Sequence, residues 1–440
     1  MTARQVAFEV LLNIKTNSAY SNNALTEAFA AHELSVQDKA FATEIVYGTL
    51  RNYRSIQYWL EPYYQGRVKE WMRVLMGMSM CQSACMGNIP DHAIVNEAVE
   101  IAKSRGGEFN AKVVNSVLRK AFAADLRDDE IEPDTESLAV LSSHSTWIVQ
   151  LWIAQFGEER ASEMAWKNIE RPPMVLRTNL TKTNQKALIG KLADSDVKSE
   201  VGMLSDSAVI VTKGNPLSTK AFKEGLFYVQ DEASQLPALA LDPPKGARVL
   251  DVCAAPGGKT FHLAEMVGDT GVVKAFDIFD HKIARMKENA QRLGITNVEM
   301  EVCSALDLHE KYEPASFDYI LIDAPCSGLG ILRRHPEAKL AKKPEDLDEI
   351  IQIQKDILDR VSPLLASGGR LVYSTCTVNR KENDRQIEAF LKSHEDFELD
   401  SEFANRMPSE LAGNFENGML QLFPQDFNTD GFFIAALRKK

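Results

Sequence analysis

RVLDVCAAPGGK, residues 248–259, decides the fold. Its first half is an apolar, valine-bearing run. Its second half is small residues and two glycines, the composition of a strand that turns tightly into a helix. Working outward, the same alternation repeats. VVKAFDI (272–278), VEMEVC (298–303), FDYILIDAP (317–325), RLVYSTC (370–376) and FFIAALRK (432–439) read as strands. Amphipathic helices fall near 258–267, 280–293, 345–366 and 381–393. Asp280 caps the second of these helices and Gly294 ends it. Such alternation predicts an α/β fold with a parallel sheet covered by helices on both faces, a Rossmann-like doubly wound sheet.

Upstream, PMVLRTN, a helix near 183–194, AVIVT and AFKEGLFYVQDEASQLPALAL predict a small α+β unit that follows further helix at 145–170. From the start to residue 122, ARQVAFEVLLNI, QDKAFATEIVYGTLRNYRSIQYWL and HAIVNEAVEIAK place apolar residues at helical spacing, so this part is all-helical. Between them, AADLRDDEIEPDTES (123–137) is too polar and acidic to build a core and reads as a linker. The expected division is therefore 1–122 helical, 123–144 linker, 145–240 helix plus small α+β unit, and 241–440 doubly wound sheet. A chain of 440 residues is long enough for each to hold its own interior.

Composition narrows the function classes. With 45% hydrophobic and 25% charged residues the chain is an ordinary globular one. It has neither a membrane-spanning run nor a cleavable signal pattern, which predicts a cytoplasmic protein. Its six cysteines form no C-x-x-C pair, so neither a metal site nor a disulfide framework is expected. The net charge of −12 opposes nucleic-acid binding by bulk electrostatics, and such binding would need a local basic patch. LRRHPEAKLAKK (332–343) offers one, with Arg333, Arg334, Lys339, Lys342 and Lys343 crowded together.

In a doubly wound sheet the ligand lies beyond the carboxyl ends of the strands, against the first strand-to-helix turn. That turn is formed by Cys253, Ala254, Ala255, Pro256, Gly257, Gly258 and Lys259. Neither the G-x-G-x-x-G pattern nor a phosphate loop ending in Gly-Lys-Ser/Thr is present, so a cofactor without a pyrophosphate is expected. S-adenosylmethionine fits. Asp277 ends the second strand nineteen residues after Gly258, where such folds place a ribose-binding acid. Asp307, after the third strand, is placed to face the adenine, and Asp323 closes the pocket at the end of the fourth strand.

Two later strands end in DAPCSG (323–328) and STCT (374–377), so Cys326 and Cys376 converge on the pocket. A pair of thiols beside a methyl donor suits methylation of cytosine C5, a carbon too poor in electrons to react until a nucleophile adds at C6. A thiolate is such a nucleophile. Asp323 stands beside the cysteines to deliver a proton or hydrogen bond to N3. One cysteine attacks and the other assists release. An adenine amino-methylating enzyme would instead need an N/D-P-P-Y/F pocket.

CAAPGGK, DAPCSG and STCT, in this order, resemble the signature of the NOL1/NOP2/Sun family of RNA cytosine-5 methyltransferases. The resemblance implies a class I methyltransferase domain in which Cys376 is the nucleophile and Cys326 is needed for release. In VCSALDLHE it puts either Ser304 or Asp307 at the family's acidic position, facing the adenine. GLFYVQDEASQLPALAL resembles the family's approach to its cofactor domain, and the small α+β unit resembles its RNA-contacting, RRM/ferredoxin-like subdomain. FATEIVYGTLRN and IVNEAVEIAK resemble a NusB-like domain. The implied partner is RNA, in particular small-subunit (16S) ribosomal RNA, with Arg333 and Arg334 touching phosphate. A monomer is the simplest expectation, and the cysteine spacing and hydropathy predict neither a metal nor a membrane partner. The alternative class, a non-catalytic RNA-binding or antitermination factor, rests on the NusB-like start and leaves both cysteines and the cofactor turn unexplained.

Overall fold

Short apolar strands and amphipathic helices bury their apolar sides together only by stacking in layers. The computed structural model describes residues 1–440 apart from 18, 65, 88 and 125–133. Its chain divides into two units: Met1–Arg171 with Leu332–Lys342, and Pro172–Ile331 with Lys343–Lys440.

The second unit opens with a four-stranded antiparallel sheet of β1 (Met174–Thr178), β2 (Lys198–Val201), β3 (Ala208–Lys213) and β4 (Phe227–Val229). Its order, β2-β3-β1-β4, with a helix at Gln185–Ala193, is that of a ferredoxin-like unit, as the sequence predicted. The larger sheet follows: β5 (Arg248–Asp251), β6 (Val272–Asp277), β7 (Val298–Val302), β8 (Phe317–Asp323), β9 (Leu365–Thr375), β10 (Phe397–Leu399), β11 (Phe415–Glu416), β12 (Met419–Leu422) and β13 (Phe432–Lys439). Its order is β11-β12-β13-β9-β8-β5-β6-β7, with β10 on β13. Strands β5 to β9 are mutually parallel, and β13 is antiparallel to β9. The doubly wound expectation is met.

Alternate residues explain the two covered faces. Leu250, Ile320, Ile322, Leu371 and Tyr373 pack into one core layer, while Val249, Leu321, Val372 and Ile434 pack into the other. The helix Asp280–Leu293 buries Ile283, Met286, Ala290 and Leu293, one stripe at helical spacing. Gly294 ends it in the left-handed conformation, whereas the cap position at its start belongs to Phe279, with Asp280 inside the first turn. The long helix after β8 is shorter than expected, Glu345–Val361, because β9 already starts at Leu365.

The first unit is helical throughout its described residues, from Ala3–Asn17 to Glu158–Lys167, with Asp91–Phe122 kinked at Gly107. Residues 145–171 are helical and cluster with these helices. Residues 125–133 of the expected linker lie outside the described residues, and within the remainder Thr135–Leu141 is helix.

The basic run at 332–343 is a correction. Arg333 is 1% exposed and donates to the Arg171 carbonyl, and Lys339 is fully buried with its Nζ 3.2 Å from the Arg51 carbonyl. The run is therefore no open cationic face: Leu332, Arg333, Pro336 and Lys339 are buried, and the lysine stem and guanidinium serve as packing. Burial, then the charge of Arg51, lowers the Lys339 pKa well below the lysine value. Arg334 keeps partial exposure. No described helix is long and apolar enough to cross a membrane, and no metal-binding cluster occurs among the described residues.

Candidate active site

The order of the large sheet reverses beside β5, and the carboxyl ends of β5, β8 and β9 meet there. The turn after β5 is held from both sides: Val252 N–H donates to the Leu321 carbonyl and Ala254 N–H to the Phe276 carbonyl. Gly257, at φ 102°, begins the helix Gly258–Val267, and a Cβ there would lie 2.7 Å from the Phe261 ring. Only glycine meets both demands. The Tyr228 hydroxyl, from the small sheet, donates to the Pro256 carbonyl at 3.0 Å.

Around this turn the expected acids take distinct places. Asp277, at the end of β6, accepts from Ala255 N–H (3.3 Å) and Phe279 N–H (3.1 Å), so it braces the turn. Asp307 is exposed in the short turn Ala305–Asp307, and Ser304 caps that turn by accepting from Leu306 N–H. Cys253 lines the turn, and burial, reinforced by Asp251, Asp323 and Asp277, holds its thiol well above the usual value.

Sequence reasoning passed over Asp251. It ends β5 fully buried, accepts from the Thr260 hydroxyl at 2.7 Å, and is pushed up to about 7. Burial is the main cause; Thr260 opposes it, Asp323 adds to it, and Lys259 opposes it. An acid directly after the apolar pair Val249-Leu250 at the close of the strand was the available signal.

Lys259 and Asp323 form an ion pair, Nζ to Oδ2 at 2.6 Å, and the Ser374 hydroxyl donates to Oδ1 at 2.7 Å. Burial works against the ammonium, but the attraction and hydrogen bond of Asp323 outweigh it and hold Lys259 above the usual lysine value. In this structure Asp323 therefore accepts hydrogen bonds, from the Lys259 ammonium on one oxygen and the Ser374 hydroxyl on the other.

Cys326 and Cys376 do meet. They follow the adjacent parallel strands β8 and β9, in which Asp323 is opposite Ser374, and their Sγ atoms lie 3.2 Å apart. The hydrogen bond to Cys376, then burial, then the charges of Cys376 and Glu382 push the Cys326 thiol well above the usual range. Two thiols within hydrogen-bond reach, beside a lysine–carboxylate pair and a small-residue turn, can add to an electrophilic ring and move a proton.

Three family models match the chain: "NusB family" over 1–122, "Methyltr_RsmF/B-like, ferredoxin-like domain" over 144–218, and "16S rRNA methyltransferase RsmB/F" over 238–438. A protein of Bacillus subtilis named "Probable ribosomal RNA small subunit methyltransferase B" is 41% identical, covering 100% of this chain and 99% of its own length. A protein of the same name from Synechocystis is 32% identical, covering 100% of each chain. Among solved structures, "Crystal Structure of PH0851" matches with a TM-score of 0.84 at 26% identity, covering 99% of this chain and 98% of that one.

Proposed function

We propose, since this chain belongs to the ribosomal RNA small subunit methyltransferase B family, that it methylates C5 of a cytosine in 16S ribosomal RNA through a covalent adduct on Cys376. The cofactor is S-adenosylmethionine, which supplies the methyl group. The residues present suit it. No side chain caps the helix Gly258–Val267, which leaves first-turn N–H groups for a carboxylate. Asp277 uses one acceptor site on each oxygen for backbone N–H groups and keeps others for ribose hydroxyls. Cys253, Ala254 and Ala255 leave the backbone approachable.

The single observation that carries the reading is the 3.2 Å separation of the Cys326 and Cys376 sulfurs at the cofactor end of the sheet. In the reaction, the Cys376 thiolate adds to C6 of the cytosine. The Lys259 ammonium donates toward the electron density that builds on the ring, and the Asp323 carboxylate accepts from the exocyclic amine. Once Cys376 is a thioether, the hydrogen bond and charge that raise Cys326 are gone, and Cys326 ionises more readily. Its thiolate then takes the C5 proton, the C5=C6 bond reforms, and Cys376 leaves as thiolate. Half-buried Arg334 of the basic run meets a phosphate. The protein acts as a cytoplasmic monomer.

Bisulfite sequencing of small-subunit ribosomal RNA from cells with and without this gene tests the reading. One cytosine protected only when the gene is present is the expected result; identical protection patterns would overturn it.

A further inference from the structure

Between the strand ends and the helix Asp384–Ser393 lies a carboxylate that neither the sequence reasoning nor the proposed reaction uses. Glu382 is fully buried, and every partner of its carboxylate is a neutral donor. A charge taken out of water is tolerated only when hydrogen bonds replace its hydration, so these partners are held as firmly as they hold it. Ser327 N–H donates to Oε2 at 2.8 Å and the Ser327 hydroxyl to Oε1 at 2.6 Å. Gln354 Nε2 donates to Oε2 at 3.1 Å, and Asn379 Nδ2 to Oε1 at 3.0 Å.

Those donors flank the two sulfurs. Ser327 follows Cys326, and Gln354 also donates to the Pro325 carbonyl at 2.9 Å, on the other side of Cys326. Thr377 follows Cys376, and its hydroxyl lies 2.7 Å from that of Ser327. The Thr377 hydroxyl also donates to Glu382 Oε1 at 3.4 Å, so the Cys376 loop is linked to the carboxylate both directly and by a chain of hydrogen bonds through the Ser327 hydroxyl of the Cys326 loop. On the main chain, the Glu382 carbonyl accepts from the Tyr373 hydroxyl at 2.8 Å, which ties the same residue to β9. Glu382 makes no hydrogen bond to either sulfur.

We infer that Glu382 is a positioning residue that fixes the spacing of the Cys326 and Cys376 sulfurs by anchoring the residue after each of them. The inference rests on reading those two cysteines as the reacting pair. A carboxylate is needed because it only accepts; an amide in its place turns an NH2 group toward serine, glutamine and asparagine donors and pushes the two loops apart.

The test compares the full-length protein with Glu382→Gln and, as a milder change, Ser327→Ala, which removes the middle hydroxyl of the chain. The separation is read by diamide oxidation: the two thiols give up two protons and two electrons to the N=N bond, which becomes a hydrazine, and the sulfurs join. Mass spectrometry of the cross-linked peptides containing residues 326 and 376 follows the rate. Wild-type protein closes this disulfide fastest. Glu382→Gln slows closure about tenfold or more, since disulfide geometry is narrow, and lowers the single-turnover methylation rate about 100-fold, the cost of misplacing reacting groups by about 1 Å. S-adenosylmethionine affinity stays within about threefold, because the turn after β5 is untouched. Ser327→Ala slows closure by a smaller factor and serves alone if Glu382→Gln does not fold. Closure at the wild-type rate in a folded variant overturns the inference. If the wild-type protein methylates no RNA, the activity reading fails, while the disulfide rates still decide whether Glu382 sets the spacing.

Discussion

Lys259 Nζ stands 2.6 Å from Asp323 Oδ2, and the lysine comes from the cofactor turn while the aspartate ends the strand that leads to Cys326. The pair thus joins the turn after β5 to the strand end that leads to the thiols. Lys259→Met removes the donor and leaves Asp323 with Ser374 alone. The expected result is a fall in single-turnover methylation of about 10²–10⁴-fold, the usual contribution of a positioned acid, with adduct formation slowed to the same degree. A variant within a few-fold of wild type would remove Lys259 from the chemistry.

Asp251 makes stability depend on pH in a stated direction. With its pKa raised to about 7, the folded chain keeps this proton where the unfolded chain has lost it. Its contribution is full below about pH 4 and is lost as pH rises through about 7. Asp251→Asn keeps a partner for Thr260 and carries no charge. Between about pH 5 and pH 8 it should therefore gain about 3 kcal/mol on the wild type in denaturant melts, two pH units at about 1.4 kcal/mol each. Parallel curves would contradict the assignment.

The two arginines of the basic run should separate cleanly. Arg333→Ala empties a buried site in the helical unit and should cost about 2–4 kcal/mol of stability, leaving the salt dependence of RNA binding unchanged. Arg334→Ala should leave stability alone and reduce the slope of log affinity against log salt by about 1. The reverse pattern would show that the phosphate contact belongs to Arg333.

Gly330 lies against the Cys376 loop: a Cβ there would meet the Gly431 carbonyl oxygen at 2.0 Å and that of Cys376 at 2.8 Å. Gly330 N–H also donates to the Cys376 carbonyl at 3.0 Å. Gly330→Ala should cost about 1–3 kcal/mol by overpacking and slow methylation about 100-fold by displacing the sulfur. Unchanged kinetics would mean that the loop absorbs the methyl group without moving Cys376.

The large sheet was legible because both of its faces are buried, so its strands read as continuous apolar runs, and because helices such as Asp280–Leu293 keep a single apolar stripe. The meeting of Cys326 and Cys376 followed from their places at the ends of neighbouring strands. Arg333 and Lys339 misled because a basic side chain has the same letter whether it points to water or inward. Residues 332–342 join a unit formed by the first 171 residues, a long-range return that local periodicity does not encode. Glu382 was missed for a related reason: Asn379 is a local partner, but Ser327 and Gln354 come from separate segments that no spacing in the sequence brings to it.

The division of labour between the two sulfurs is tested most directly by Cys326→Ala incubated with unmethylated small-subunit ribosomal RNA and S-adenosylmethionine, then run on a denaturing gel. With Cys376 free to attack and no thiolate at 326 to take the C5 proton, the protein should shift to an RNA-linked band that the further change Cys376→Ala abolishes. A protein that runs at its free mass under these conditions, while still binding the cofactor, would contradict the covalent mechanism.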